Sequence, residues 1–208
     1  MFKPLKQEKF DRKAFFNELA CDWDAKFANT VTDDFLRAIV SKLQLASGQK
    51  VLDVGTGTGI LVPTLSKAVG FSGLVVAVDF AEKMIQECSR KHANLSNVRI
   101  ELGNVEELDY QSGFFDAVTC FGIFPHIVNK EKALARINRV LKVSGKLMIA
   151  HALGSQELNE MHHKEASVIA HDRLPSRTEM MKVLRGNGFS VKYFEDEPRI
   201  YLCIATKK

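Results

Sequence analysis

Phe15, Phe16, Leu19, Trp23 and Phe27 recur at three- and four-residue steps near the start of the chain. That spacing predicts an amphipathic helix, or a broken pair, over residues 11–28, with a second helix from Val31 to Leu45. From residue 51 short apolar runs alternate with segments of helical period. They predict strand 51–54, helix 59–69, strand 74–78, helix 81–93, strand 98–102, a short helix near 105–109, strand 115–120, helix 130–141 and strand 146–152. Such alternation implies a parallel sheet with helices on both faces. The rhythm then breaks. Ser155 to Ala166 reads as a solvated helix within an insertion spanning 154–175. Ser176-Arg177-Thr178-Glu179 is a capping-box pattern ahead of Met180, Val183 and Leu184, with Gly186 and Gly188 to stop the helix. The runs Phe189–Phe194 and Arg199–Thr206, split by an acidic turn with Pro198, read as an antiparallel hairpin. The expected whole is a doubly wound α/β sheet of seven strands, mostly parallel and closed by that hairpin. Residues 1–45 would form a helical arm and 46–208 the main domain, with disorder expected only in the first ten residues.

The junction Val51-Leu52-Asp53-Val54-Gly55-Thr56-Gly57-Thr58-Gly59 carries the first chemistry. A strand entering a helix through a tight turn needs positive φ, and a ligand lying on that turn needs backbone without Cβ; Gly55, Gly57 and Gly59 supply both. Asp79 closes the next apolar run, about 20 residues on, where a βαβ unit brings an acid to a ribose diol. A pyrophosphate on the helix N-terminus would be repelled by Asp53, and the spacing is G-x-G-x-G rather than G-x-G-x-x-G. An acid at that position suits a ligand with a positive ammonium or sulfonium, and the glycines allow close approach of an uncharged adenosine.

These residues resemble motif I of the class I S-adenosylmethionine-dependent methyltransferases, which have a Rossmann-like fold. Further segments carry the resemblance: Asp79-Phe80-Ala81-Glu82-Lys83-Met84 after the second strand, Gly103-Asn104-Val105 after the third, Phe114 to Cys120 at the fourth, and Arg139 to Leu147 into the fifth. The match covers roughly residues 12–150 and is most similar to the ubiquinone/menaquinone-biosynthesis type of small-molecule methyltransferase. It implies S-adenosyl-L-methionine as cofactor, with Asp53, Gly55, Thr56, Gly57, Gly59, Asp79, Phe80, Met84, Asn104, Val105 and Cys120 around it. Asn104 stands where the family usually has Asp, and Val143-Ser144 where it usually has Pro-Gly. The arm, Phe16 to Asp24, resembles the family's N-terminal cover; packing of its aromatics against the sheet is the other reading.

Composition narrows the setting. The 208 residues suffice for one enzyme domain with a sizeable core. No apolar run approaches a membrane span and the first residues are too polar for a signal peptide, so a soluble, cytoplasmic protein is expected. Cys21, Cys88, Cys120 and Cys203 form no C-x-x-C pair, which fits reduced thiols. The formal net charge of +4 is spread along the chain and does not call for nucleic acid. No Asn/Asp-Pro-Pro-aromatic element follows the fourth strand, so base methylation is disfavoured. The expected partner is a small-molecule acceptor, and the protein itself a monomer or homodimer.

Ligands of open α/β sheets sit at the carboxyl ends of the strands. There His126 and His151 are the candidates for a base that deprotonates the acceptor. Five of six histidines fall between residues 126 and 171. One reading is a transition-metal site, zinc or iron, in which His162 or His163 and the His171-Asp172 pair fold over His151, joined by Glu165. The other makes them surface residues or substrate contacts. The cysteine group of arsenic methyltransferases is missing. Two other classes stay in view: a catalytically silent S-adenosylmethionine-binding regulatory or assembly protein, and a nicotinamide-dependent oxidoreductase, which would continue with parallel units in place of the hairpin.

Overall fold

Val51, Leu52 and Val54 are almost wholly buried, so β1 (Lys50–Val54) has no solvent face and must lie inside a covered sheet. A computed structural model, which describes residues 12–28, 30–165 and 167–208, places it there. The first ten residues, expected to be disordered, lie outside the described residues. β2 (Leu74–Asp79), β3 (Val98–Leu102), β4 (Phe115–Phe121) and β5 (Leu141–His151) run parallel to β1. β6 (Phe189–Glu197) and β7 (Ile200–Lys207) form the antiparallel hairpin, and the seven strands are ordered β3-β2-β1-β4-β5-β7-β6. The strand order reverses between β1 and β4, which opens a crevice at their carboxyl ends.

Side chains alternate across the sheet and build a core on each face. Leu52, Val54, Val76, Phe115 and Ile149 pack beneath α6 (Lys130–Val140) and α8 (Arg177–Gly186). Val51, Val75, Ala117 and Met148 pack beneath α3 (Asp33–Ser41) and α4 (Val62–Val69). The capping box forms as the sequence implies: the Ser176 hydroxyl accepts from Glu179 N–H, and the Glu179 carboxylate accepts from Ser176 N–H at 2.8 Å. α5 (Glu82–His92) follows β2, and α7 (Ser155–Lys164) opens the insertion.

Of the two forms expected for the arm the structure has the broken pair, with α1 (Arg12–Leu19) and α2 (Trp23–Phe27) separated by a 3₁₀ turn at Ala20–Asp22. Two element starts differ from expectation. α4 starts at Val62 rather than 59, because Gly59 has φ +86° and Pro63 favours a first-turn position. β5 starts at Leu141 rather than 146: α6 runs directly into it, Ser144 takes the left-handed conformation at φ +62°, and the register opposite Phe115 and Ala117 shifts.

A Cβ at Gly59 would stand 2.6 Å from His92 Cδ2 and 2.7 Å from Cys88 Sγ, both on α5. Overpacking and a positive φ act together there. Gly59→Ala is expected to lower the unfolding free energy by about 2–4 kcal/mol. Urea titration checks this, as a lower midpoint at unchanged slope.

Candidate functional site

A cleft of about 510 Å³ opens at the carboxyl ends of the parallel strands, beneath α1 and α2. Its floor is the glycine loop. Gly55 has φ +64°, and a Cβ there would collide with the Ile123 side chain at 2.5 Å. Gly57 has φ +57°; a Cβ on it would only touch the indole of Trp23 at 3.6 Å, so its need for glycine is conformational.

Two carboxylates sit at the strand ends. Asp79 is 6% exposed; its Oδ2 accepts from Gly57 N–H and its Oδ1 from Ala81 N–H, both at 2.9 Å. Burial raises its pKa, against the lowering effect of these backbone donors. A carboxylate has roughly four acceptor positions, so two remain for a diol. Asp53 accepts from the hydroxyls of Thr119 at 2.6 Å and Thr56 at 2.7 Å. Burial pushes its pKa up to about 6, opposed by those hydroxyls and supported by the nearby Asp79 charge.

The raised value has a consequence for binding. The ligand-free fold favours protonated Asp53, a contribution present at low pH and lost as pH rises from the unfolded value of 3.8 through about 6. A cationic ligand needs the ionised form. Its affinity is therefore expected to fall about tenfold from pH 7 to pH 5, and Asp53→Asn should flatten the profile. Calorimetric titration across that range measures both.

The arm covers the cleft. The Phe16 ring lies 5.9 Å from Trp23, 5.9 Å from Phe80 and 5.2 Å from His126, all edge-on. With Ala81, Met84 and Ile169 these aromatics form their own small core. Polar contacts tie the arm down, among them an ion pair of Lys13 with Glu82. Asn17 donates to Glu82 and accepts from Lys83 N–H. Asp24 accepts from Thr58 and Lys91, each at 2.5 Å. Arg12 binds both oxygens of Asp172 at 2.5 and 2.6 Å.

Beyond the arm three imidazoles meet. His126 ends a 3₁₀ turn (Phe124–His126) after β4, and its Nδ1 lies 2.7 Å from Asp172 Oδ2. Burial lowers its pKa, and Asp172 opposes that shift. Asp172 itself is held at about 2: burial would raise it, but hydrogen bonds from His126 and Arg12 outweigh this. His151 ends β5, 6% exposed; burial lowers its pKa strongly, His126 and His162 add to that, and Nε2 has no hydrogen-bond partner. His162 on α7 is 2% exposed, its Nδ1 lies 2.8 Å from the Asp172 carbonyl oxygen, and its ring lies 5.1 Å from that of His126.

The structure thus gathers Asp53, Gly55, Thr56, Gly57, Asp79, Phe80, Met84, His126, His151 and His162 around one cleft. Four expected cofactor contacts do not line it. Gly59 serves the packing of α5. Asn104 is exposed, and its Oδ1 caps Glu106 N–H at 2.9 Å. Val105 is in the core, and so is Cys120, whose thiol burial drives well above its ordinary pKa. The four-histidine metal set is also corrected. Adjacent residues of a helix point about 100° apart, so α7 turns His162 inward and leaves His163 exposed, and His171 is exposed as well. Among the described residues no group of three or more His, Cys, Asp or Glu is placed to hold a metal ion. Sequence reasoning missed Arg12 altogether and read Asp172 only beside His171. Its partnership with His126 spans 46 positions and leaves no local signal.

Comparison with known proteins agrees with this architecture. Residues 45–193 match a family model described as a methyltransferase domain. The ubiquinone/menaquinone biosynthesis C-methyltransferase UbiE of Wigglesworthia glossinidia brevipalpis is 31% identical over 74% of this chain and 60% of its own length. A demethylmenaquinone methyltransferase of Staphylococcus carnosus is 34% identical over 67% of this chain and 59% of its own. The chain therefore spans under two thirds of the length of these relatives. Among solved structures, a SAM dependent methyltransferase from Aquifex aeolicus superposes with a TM-score of 0.76 at 23% identity, over 96% of this chain and 100% of that one. With the family model matching well over half of the chain, on a seven-stranded sheet of the same fold, the chain belongs to the methyltransferase domain family.

Proposed function

We propose that this protein transfers a methyl group from S-adenosylmethionine to a small-molecule acceptor. The observation that carries the reading is Asp79, locked by Gly57 N–H and Ala81 N–H at the edge of a cleft that continues to three imidazoles. The residues present fit the cofactor. Asp79 has acceptor capacity left for ribose hydroxyls, Asp53 suits a cationic amino-acid end, and the volume lies within the roughly 300–1,000 Å³ of small-molecule sites. When bound, S-adenosylmethionine supplies a methyl group already activated on a sulfonium.

The chain's own part is alignment, desolvation and one proton. Phe16, Trp23 and Phe27 cover the cleft and exclude water from the reacting end. His126, largely neutral at pH 7, takes the acceptor's proton on Nε2. The relatives named for ubiquinone/menaquinone biosynthesis and demethylmenaquinone make a quinone-type ring one candidate acceptor, and the aromatic walls suit it. A reducing compartment such as the cytosol suits the four unpaired cysteines. No helix among the described residues is long and apolar enough to cross a membrane.

Calorimetric titration with S-adenosylmethionine, S-adenosylhomocysteine and the nicotinamide dinucleotides tests the proposal. Micromolar binding of the two adenosyl ligands alone supports it. Binding of neither sinks it, and binding of a dinucleotide instead moves the chain to redox chemistry.

A further inference from the structure

Asp172 makes contacts in three directions. Its carboxylate receives both arms of the Arg12 guanidinium, Oδ2 also faces His126 Nδ1, and its main-chain carbonyl faces His162 Nδ1. A carbonyl can only accept, and a carboxylate held by a guanidinium can only accept. Both Nδ1 atoms must therefore carry the proton. In a neutral ring the remaining nitrogen is then a bare lone pair. Neither Nε2 has a hydrogen-bond partner among the described residues.

We infer that Asp172 is a positioning residue: it fixes His126 and His162 in the same Nδ1–H tautomer, so the acceptor end offers lone pairs and selects molecules that bring their own O–H, N–H or S–H proton. The inference builds on the methyltransferase reading only in naming this end of the cleft. Its setting agrees. Two nearby cationic groups are already engaged, Arg12 by Asp172 and Lys130 by the carbonyls of Pro125 and Ile127. Phe16, Ile123, Leu153, Leu158 and Ile169 supply an apolar surround. An acceptor without a donor leaves two lone pairs unmatched, a penalty of the kind that makes polar sites selective. The step balances: the X–H proton moves to His126 Nε2, the electron pair released on X takes the methyl carbon, and the carbon–sulfur bond breaks with its electrons on sulfur, leaving an imidazolium and a neutral thioether.

The test is spectroscopic and needs no acceptor. Histidine-¹⁵N-labelled protein is examined by long-range proton–nitrogen correlation at slightly alkaline pH, with His126→Gln and His162→Gln assigning the signals. Wild type is expected to show both rings as Nδ1–H, whereas free imidazole side chains favour Nε2–H. Asp172→Ala should return His126 to Nε2–H and leave His162 as it was, since the main-chain carbonyl stays; the unchanged His162 signal also reports an intact fold. An Nε2–H tautomer at His126 in wild type overturns the inference even if the variant does not fold. So does a His126 signal indifferent to Asp172→Ala in a folded protein. Phenol, titrated into wild type, should shift the Nε2 resonances, and anisole, the same ring without a donor, should not. Equal shifts, or no response to phenol, remove the selectivity. Cofactor calorimetry reads the other end of the cleft, so the two ideas fail separately.

Discussion

Asp79→Ala is expected to weaken S-adenosylmethionine binding by roughly 100-fold or more, to the edge of calorimetric detection. Two hydrogen bonds to a charged acceptor are at stake, each about 1.5–3 kcal/mol, and about 1.4 kcal/mol is tenfold in affinity. The same carboxylate braces the glycine loop through Gly57 N–H and the start of α5 through Ala81 N–H. Part of the loss will therefore come from a slackened loop. Asp79→Asn separates the two contributions, because its amide oxygen keeps one acceptor with nearly the same shape, and an intermediate loss is expected. If Asp79→Ala remains folded and binds as wild type does, the cofactor does not lie where the strand ends place it.

His126→Gln is expected to act on rate and not on cofactor affinity. Proton removal by a positioned side chain contributes about 10²–10⁴-fold. Acceptor-dependent formation of S-adenosylhomocysteine should fall by that range, with the calorimetric affinity for S-adenosylmethionine changed by less than about threefold. Because burial lowers the His126 pKa, the acid limb of the wild-type rate profile should lie below the ordinary imidazole value of 6.5. At saturating S-adenosylmethionine, which removes the effect of Asp53 on affinity, rate should thus be held from neutral pH down and lost as the ring protonates; in the variant that limb should vanish. A full rate in His126→Gln would move the proton to His151 or His162, or out of the mechanism.

The sheet was readable in the sequence because its strands are short, apolar and punctuated. Val51 to Val54 and Leu74 to Val78 have no competing period, and glycine or an acid ends each. The glycine-loop end of the cleft was readable for the same local reason: Asp53, Gly55, Gly57 and their loop sit in one run of nine residues. The other end was legible only in its histidines, His126, His151 and His162, and not in what holds them. Arg12, His126 and the pair His162 and Asp172 come from three separate places in the chain, and only packing of arm, turn and insertion brings them together. The histidine count did flag the region, but composition could not tell His162 from His163, whose fates differ by the rotation of one helical step. Asn104 shows a further local effect: a side-chain oxygen beside a free N–H two residues on is drawn into capping its own turn.

The hairpin also bears on how the chain matures. β7 is made after β6 but is wedged between β5 and β6, pairing Met148 with Ile204 and His151 with Tyr201. As the chain leaves the ribosome, β5 stands for a time as an open edge carrying Leu147 and Ile149, a template for pairing with another chain. The wall that carries His151 closes only when residues 200–207 arrive, so the sheet's last pairing joins residues far apart in sequence and is a slow one to form. A nascent or clipped chain ending before residue 200 could own a complete glycine loop and still be a sticky, unfinished sheet; in such a molecule cofactor capture would precede competence.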